Sequence, residues 1–390
     1  MKNKFIYFDN ASTTHLSKNV LEIINFSYIN FWGNVSSKYN FGIECSLKLE
    51  KIRNKIANIF NADNEDIVFT SGSSESISIA FNAVFDKFKP QSITISTIEH
   101  QASIIAANKL ERKGWNLNKW PVDAEGILIL EYIDKFINNN TRFVSMIWGQ
   151  SEIGTIQPVQ EIGKRCSELG VLFHVDGTQI LSNGIFNWNK LNCDLLSLSA
   201  HKFGGPKGIG ILLTNKNSRK VLTNSDISIS HEYSIRQGTQ SLPLIMGLYQ
   251  SLKNIKGRII FTKNSINFKY SKTIELRNYF IDKIKNNNFF EITGSLENRL
   301  PNHISFILFN KDFMPIEAYK IVNYMSDNDI SISSGSACSS SNKKHSSVLE
   351  NIGLNKQKLL SNIRLSFNNE NTTQELDKFY CLILKCIEIF

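Results

Sequence analysis

The sequence predicts an α/β protein in two parts: a large domain with a mostly parallel sheet between helices, and a smaller α+β C-terminal domain. Three observations carry this. Short β-rich runs alternate with helical patterns up to about Asn254, which implies parallel strands covered on both faces. Beyond Asn254 the alternation breaks down. A chain of 390 residues also exceeds one ordinary core.

The elements follow in order. Leu49, Ile52, Ile56, Ile59 and Phe60 repeat at helical spacing, and Ile67-Val68-Phe69 reads as a buried strand. A helix is expected from about Glu75, a strand over Ile93–Ser96, a helix over Gln101–Arg112 and a strand over Phe143–Trp148. Val159, Ile162, Cys166 and Leu169 mark a helix face, followed by strands at Val171–Val175, Leu195–Leu198 and Ile209–Leu213. After Asn254 a long polar helical stretch leads to a strand at His303–Leu308 and a helix from Ile316. Strands at Ile330–Ser333 and Ile363–Phe367 and a final helix complete the chain. The boundary is placed near 255–262, giving a large domain over 15–257 and a small one from 1–14 with 258–390.

Composition narrows the function classes. Hydrophobic residues make up 42% and aromatics 11%, enough for a packed interior. The net charge of +9 is spread over helix faces, as at Lys48, Lys51 and Lys55, with no basic run, so direct nucleic-acid binding is not expected. Six cysteines, at 45, 166, 193, 338, 381 and 386, include no CxxC pair, and no metal site is expected. Cys166, Cys381 and Cys386 read as core residues, and nothing suggests a disulfide framework. No signal-peptide region opens the chain and no apolar run is long enough to span a bilayer, so a cytoplasmic protein away from membranes is expected.

Four groups fall at strand ends, where α/β sheets gather ligands. Thr70-Ser71-Gly72-Ser73-Ser74-Glu75 offers backbone N–H groups at a helix start, suited to a phosphate or equally to an ordinary capped turn. In His174-Val175-Asp176-Gly177-Thr178-Gln179 the aspartate closes an apolar strand, where it can hold a ring nitrogen protonated or act as a helix N-cap. Ser199-Ala200-His201-Lys202 precedes Gly204-Gly205-Pro206-Lys207-Gly208, and a lysine there is a candidate Schiff-base amine. Cys338, in Ser333-Ser334-Gly335-Ser336-Ala337-Cys338 before a serine-rich run, is the one cysteine in a small, polar setting suited to a reactive thiol.

In order and wording, these segments resemble the group I cysteine desulfurases, the NifS/IscS-type branch of fold-type I pyridoxal-phosphate enzymes within the class V aminotransferase family. The resemblance runs from Tyr7-Phe8-Asp9-Asn10-Ala11-Ser12-Thr13-Thr14 to Ile363-Arg364-Leu365-Ser366-Phe367. Its most specific segments are Ile67–Ser76, Thr97-Ile98-Glu99-His100, His174–Gln179, Ser199–Gly210 and Ser333–Cys338. It implies a seven-stranded sheet in the large domain, pyridoxal 5'-phosphate as cofactor and L-cysteine as substrate. Lys202 would carry the cofactor and shuttle protons, Asp176 would pair with the ring nitrogen, Gln179 would bond the phenolic oxygen, and His100 would stack on the ring. Ser73, Ser74, Ser199 and His201 would bind the phosphate, and Thr239 the phosphate of a partner subunit in a homodimer. Arg364 would pair with the substrate carboxylate, and Cys338 would take the sulfur as a persulfide, releasing alanine. His100 is also a candidate to help ionise that thiol, since a free thiol has a pKa near 8.5. The sulfur would pass to an acceptor protein in iron–sulfur assembly or tRNA thiolation.

Several positions depart from the family pattern. Ser151, in Gln150-Ser151-Glu152-Ile153-Gly154, replaces an asparagine that touches cofactor and substrate, a bond worth ~1.5–3 kcal/mol. A glycine run reads Ser228-Ile229-Ser230-His231-Glu232, and Asn34-Val35-Ser36-Ser37, Asn40 and Asn368-Asn369 also differ. The chain ends at Phe390 without the tail by which many relatives dock a scaffold protein. Two alternatives stay open: a related lyase or aminotransferase, and a degenerate subunit that acts through partner binding.

Overall fold

A computed structural model describes residues 5–223, 231–262, 266–335 and 346–390. After a short N-terminal strand β1 (Ile6–Tyr7), seven strands build the main sheet. They are β2 (Ile67–Thr70), β3 (Ser92–Ser96), β4 (Asn116–Trp120), β5 (Thr141–Ile147), β6 (Leu172–Asp176), β7 (Leu195–Ser199) and β8 (Gly210–Thr214). Their order across the sheet is β2-β8-β7-β6-β5-β3-β4, and only β8 runs antiparallel to its neighbours. Every residue of β2, β6, β7 and β8 is buried, because helices cover both faces. Helices Ser73–Lys87 and Gln101–Glu111 cover one face through Ile77, Phe81, Val84, Ala107 and Leu110. Asn40–Phe60, Val159–Leu169 and Leu242–Asn254 close the other. The mostly parallel seven-stranded sheet is the one expected.

The remainder builds on a second sheet. A hairpin of β9 (Arg258–Phe261) and β10 (Ile266–Lys269) is followed by β11 (Phe290–Ile292), β12 (His303–Leu308), β13 (Ile330–Ser331), β14 (Ser333–Ser334) and β15 (Asn362–Ser366). The antiparallel order is β11-β12-β15-β14, while β1 pairs in parallel with β13. A separate core gathers Ile6, Phe8, Phe280, Phe306, Leu365, Phe379 and Ile383. Ile259 of the hairpin, and Val348, Leu349, Ile352 and Leu359, pack instead with the first core.

Some expectations change. The helix expected from Glu75 starts at Ser73, and the strand expected over Ile330–Ser333 splits at Ile332, its halves pairing with different strands. Strand β4 was not expected, because Asn116-Leu117-Asn118-Lys119-Trp120 is an edge strand with little apolar alternation. The hairpin occupies ground expected to be helical; its outward residues, among them Arg258 and Lys269, disguise the period of two. Cys166 and Cys386 are buried as expected, but Cys381 is exposed. It lies off the buried stripe of Leu376, Phe379, Ile383, Cys386 and Ile387 on the last helix. Among the described residues no helix is long and apolar enough to cross a membrane, and no cluster could hold a metal ion.

Candidate active site

The parallel strands deliver their C-terminal ends to one edge of the sheet, so the segments after β2, β3, β5, β6 and β7 meet there. After β2, Gly72 adopts φ +153° and leads directly into helix Ser73–Lys87. A side chain is strained at that φ, and a Cβ on Gly210 would lie 2.6 Å from the Gly72 Cα, so two loops press together here. Gly72 supplies no side-chain cap, which leaves the first-turn N–H groups directed out of the helix start. Ser73 is buried beneath this turn and Ser74 is exposed. Ser199, at the end of β7, is buried next to Gly72, its hydroxyl 3.3 Å from where a Cβ there would stand.

Asp176 closes β6 and is 3% exposed. Its Oδ1 accepts from the Thr178 backbone N–H at 3.0 Å and from the Thr178 hydroxyl. That hydroxyl also lies 2.6 Å from the Ser73 Oγ, so one threonine joins the helix start to the buried carboxylate. Below Asp176, His174 bridges three strands through Ser145 Oγ and Ser197 Oγ, each at 2.8 Å. Burial lowers His174 to about 4, so it is a neutral brace. Gln179 donates through Nε2 to the Ala11 carbonyl at 3.0 Å.

Lys202 follows β7 and is half-buried. Its Nζ donates to the Ala11 and Ser12 carbonyls, both at 2.8 Å. His201 beside it has Nδ1 3.3 Å from the Thr13 hydroxyl. Burial, then the Lys202 and Lys207 charges, lower His201 to about 4, so at neutral pH it can donate an N–H without adding charge. His100 is exposed and caps helix Gln101–Glu111, its Nδ1 accepting from Ala102 N–H at 3.2 Å, which leaves Nε2 for other work.

Arg364 lies on β15 and is 4% exposed. Nη2 donates to Asp9 Oδ1 at 2.6 Å and Ser12 Oγ at 2.8 Å, and Nη1 donates to the Ser151 carbonyl at 3.0 Å. Nε is buried with no hydrogen-bond partner among the described residues. Ser151 is half-buried, and its contact to Arg364 runs through its backbone. Thr239 is exposed, before helix Leu242–Asn254. Cys338 and Ser228-Ile229-Ser230 lie outside the described residues.

Sequence reasoning missed three groups. Glu99 is 2% exposed, and its Oε1 accepts from Ser96 Oγ at 2.5 Å and Ile147 N–H at 2.8 Å. Burial chiefly, with the nearby Asp176 charge, raises it to about 8. Glu152, half-buried, is raised to about 7 by burial, against the opposing pull of a Ser346 hydrogen bond and the Arg364 charge. Glu232 pairs with buried Arg53 at 2.8 Å and also accepts from Phe69 N–H at 2.8 Å. An isolated acidic residue inside a motif is the only sequence signal for any of these.

The donor set suits pyridoxal 5'-phosphate: an uncapped helix start for an anion, a buried carboxylate for a protonated ring nitrogen and an amine at the next strand end. The aminotransferase class-V family model matches residues 6–379. The chain belongs to that family, whose members of this kind use pyridoxal phosphate. Within it, the chain is 33% identical to cysteine desulfurase IscS of Dictyoglomus turgidum over 387 residues, 98% of this chain and 94% of that protein. A solved NifS-like protein superposes with a TM-score of 0.86 at 29% identity, covering 99% of this chain and 100% of that one. SspA, solved in complex with cysteine, gives 0.79 at 26% identity, covering 94% and 100%.

Proposed function

We propose that the chain is a pyridoxal-phosphate-dependent cysteine desulfurase that takes sulfur from L-cysteine onto Cys338 and releases L-alanine. The observation that carries this reading is the convergence of Lys202, Asp176 and the Ser73 helix start on one sheet edge, with Arg364 tied to the same N-terminal segment through Asp9 and Ser12. The cofactor would be held by Lys202 through its amine, by Asp176 at the ring nitrogen and by Gln179 at the phenolic oxygen. His100 would stack on the ring, while Ser73, Ser74, Ser199 and His201 would hold the phosphate. When bound, the cofactor supplies an electron sink that draws charge from the substrate's α-carbon.

The chain's own residues do the rest. Arg364 takes the substrate carboxylate, a bidentate task suited to arginine, with Nη2 giving up its Asp9 and Ser12 bonds to receive it. Lys202 gives up its two carbonyl partners to serve as the base that moves the α-proton. The Cys338 thiolate attacks the substrate sulfur: an S–S bond forms, the Cβ–S bond breaks, and Cβ gains a proton to become the methyl of alanine. The persulfide sulfur then passes to an acceptor protein, in iron–sulfur cluster assembly or tRNA thiolation, in the cytoplasm. The domain division at 257/258 belongs to this reading, with β1 and Phe8 joined to the second core.

A homodimer completes the proposal. Leu21, Ile29, Trp32 and Leu47 are 45%, 73%, 70% and 68% exposed along helices Lys18–Asn30 and Asn40–Phe60 and their linker, an apolar surface that a second copy would cover. Thr239 would then reach the phosphate in the second copy. The test is mass spectrometry after adding L-cysteine to the holoenzyme: one added sulfur atom on the Cys338 peptide with stoichiometric alanine supports the reading. Cofactor colour without that sulfur rejects it.

A further inference from the structure

The turn Gln150–Gly154 joins two functions that lie far apart in sequence. The Ser151 carbonyl accepts from Arg364 Nη1 and from His303 Nε2, each at 3.0 Å. The next residue sends its side chain elsewhere: Glu152 Oε2 accepts from Ser346 Oγ at 2.5 Å. Ser346 Oγ in turn accepts from Leu349 N–H at 3.2 Å and so caps helix Ser347–Asn351. The turn itself is fixed. Gln150 Oε1 accepts from the Glu152 N–H at 2.5 Å and the Ile153 N–H at 3.3 Å. Gly154 has φ +77°, and a Cβ there would fall 2.4 Å from His303 Nδ1, so the turn cannot slide along that ring.

We propose that Glu152 is a positioning residue that couples the substrate-binding arginine to the capped start of helix Ser347–Asn351. This inference rests on the desulfurase reading for the identity of the carboxylate that Arg364 receives. Among the described residues, the charged and titratable groups facing this junction are Arg364, its partner Asp9 and His303. Burial, with the Arg299 and Arg364 charges, holds His303 well below its ordinary range, so it adds no charge. Burial and the Ser346 and Arg364 interactions leave Glu152 titrating at about 7. An ionised Glu152 receives a charge-assisted bond from Ser346 and competes for the Arg364 cation. A substrate carboxylate arriving on Arg364 offsets that cation and favours protonated Glu152, which loosens the Ser346 cap. By linkage, ionising Glu152 weakens substrate binding by the same factor.

The test compares wild type, Glu152→Gln and Ser346→Ala holoenzymes. The ratio of the wild-type KM for cysteine to that of Glu152→Gln should rise by about fivefold from pH 6 to pH 8, with kcat changing less. The ratio cancels the substrate's own titration. Hydrogen exchange of the 346–354 peptide, which needs no turnover, should be several-fold faster in Glu152→Gln than in wild type at pH 8 and equal at pH 6. Ser346→Ala should show fast exchange at both pH values and keeps the exchange arm readable if the glutamine variant fails to fold. A flat KM ratio, or equal exchange at pH 8, overturns the proposal. Wild type that forms no persulfide overturns the desulfurase reading instead, and the exchange arm still decides whether Glu152 governs the cap.

Discussion

Glu99 shows how one residue can store a pH dependence in the fold. Its carboxyl moves from an ordinary 4.5 to about 8 on folding, chiefly through burial. Between those values the unfolded chain releases the proton and the folded chain keeps it, so stability falls as pH rises from about 5 to 8. Glu99→Gln keeps the shape and removes the titration. Its melting temperature is expected to fall less than that of wild type between pH 5 and pH 8, a difference worth a few kcal/mol. Parallel melting curves of the two proteins would contradict this. Lys202→Ala tests a different kind of residue: a half-buried side chain that donates to two backbone carbonyls. That variant should fold, lose the visible absorption of lysine-bound cofactor and form no persulfide. Retained absorption would move the anchoring role elsewhere. Lys202 and Asp176 were legible in the sequence because each follows or closes an apolar strand run, whereas Arg364 was reached only through the family resemblance. Glu99 and Glu152 were not, since nothing in a sequence reports which acid the fold will bury.

Elements were legible in proportion to their burial. Strands β6 and β7 are buried along their length and read as mainly apolar runs, which located Asp176 and Lys202 at their ends. Edge strand β4 and the β9–β10 hairpin escaped because one side of each meets solvent and carries Asn, Lys and Arg. The segment after residue 230 shows a second limit. Glu232, Tyr233 and Ser234 all have positive φ, near +42°, +56° and +63°, where side chains are strained. The Arg53–Glu232 pair holds this strap, with the Phe69 N–H and Gln240 Nε2 as further donors to Glu232. Removing one partner of such a buried pair costs about 3–5 kcal/mol. Glu232→Ala should therefore lower stability in denaturant titration by roughly that amount. A loss under about 1 kcal/mol would show that the strap holds itself.

For the whole molecule, the N-terminal segment is the joint between the two cores. Ile6 and Phe8 enter the second core, Asp9 holds Arg364, and the Ala11 and Ser12 carbonyls receive Lys202. A few consecutive residues thereby tie Arg364 of one sheet and Lys202 of the other to one segment, Ser12 meeting both, an arrangement no local pattern could foretell. Assembly is a separate question of surface. Replacing Ile29 and Trp32 by aspartate should convert a dimer to a monomer in sedimentation while leaving the folded core intact, since both are largely exposed here. An unchanged dimer would place the interface elsewhere.

The proposed reaction moves sulfur from free cysteine to one thiol under the control of one lysine. The direct measurement is intact-protein and peptide mass spectrometry of the holoenzyme after a single addition of L-cysteine, with Cys338→Ser and Lys202→Ala alongside. The expected result is one extra sulfur atom on the peptide carrying Cys338 in wild type and none in either variant. Sulfur on another cysteine, or on Cys338 in the Lys202→Ala protein, would contradict it.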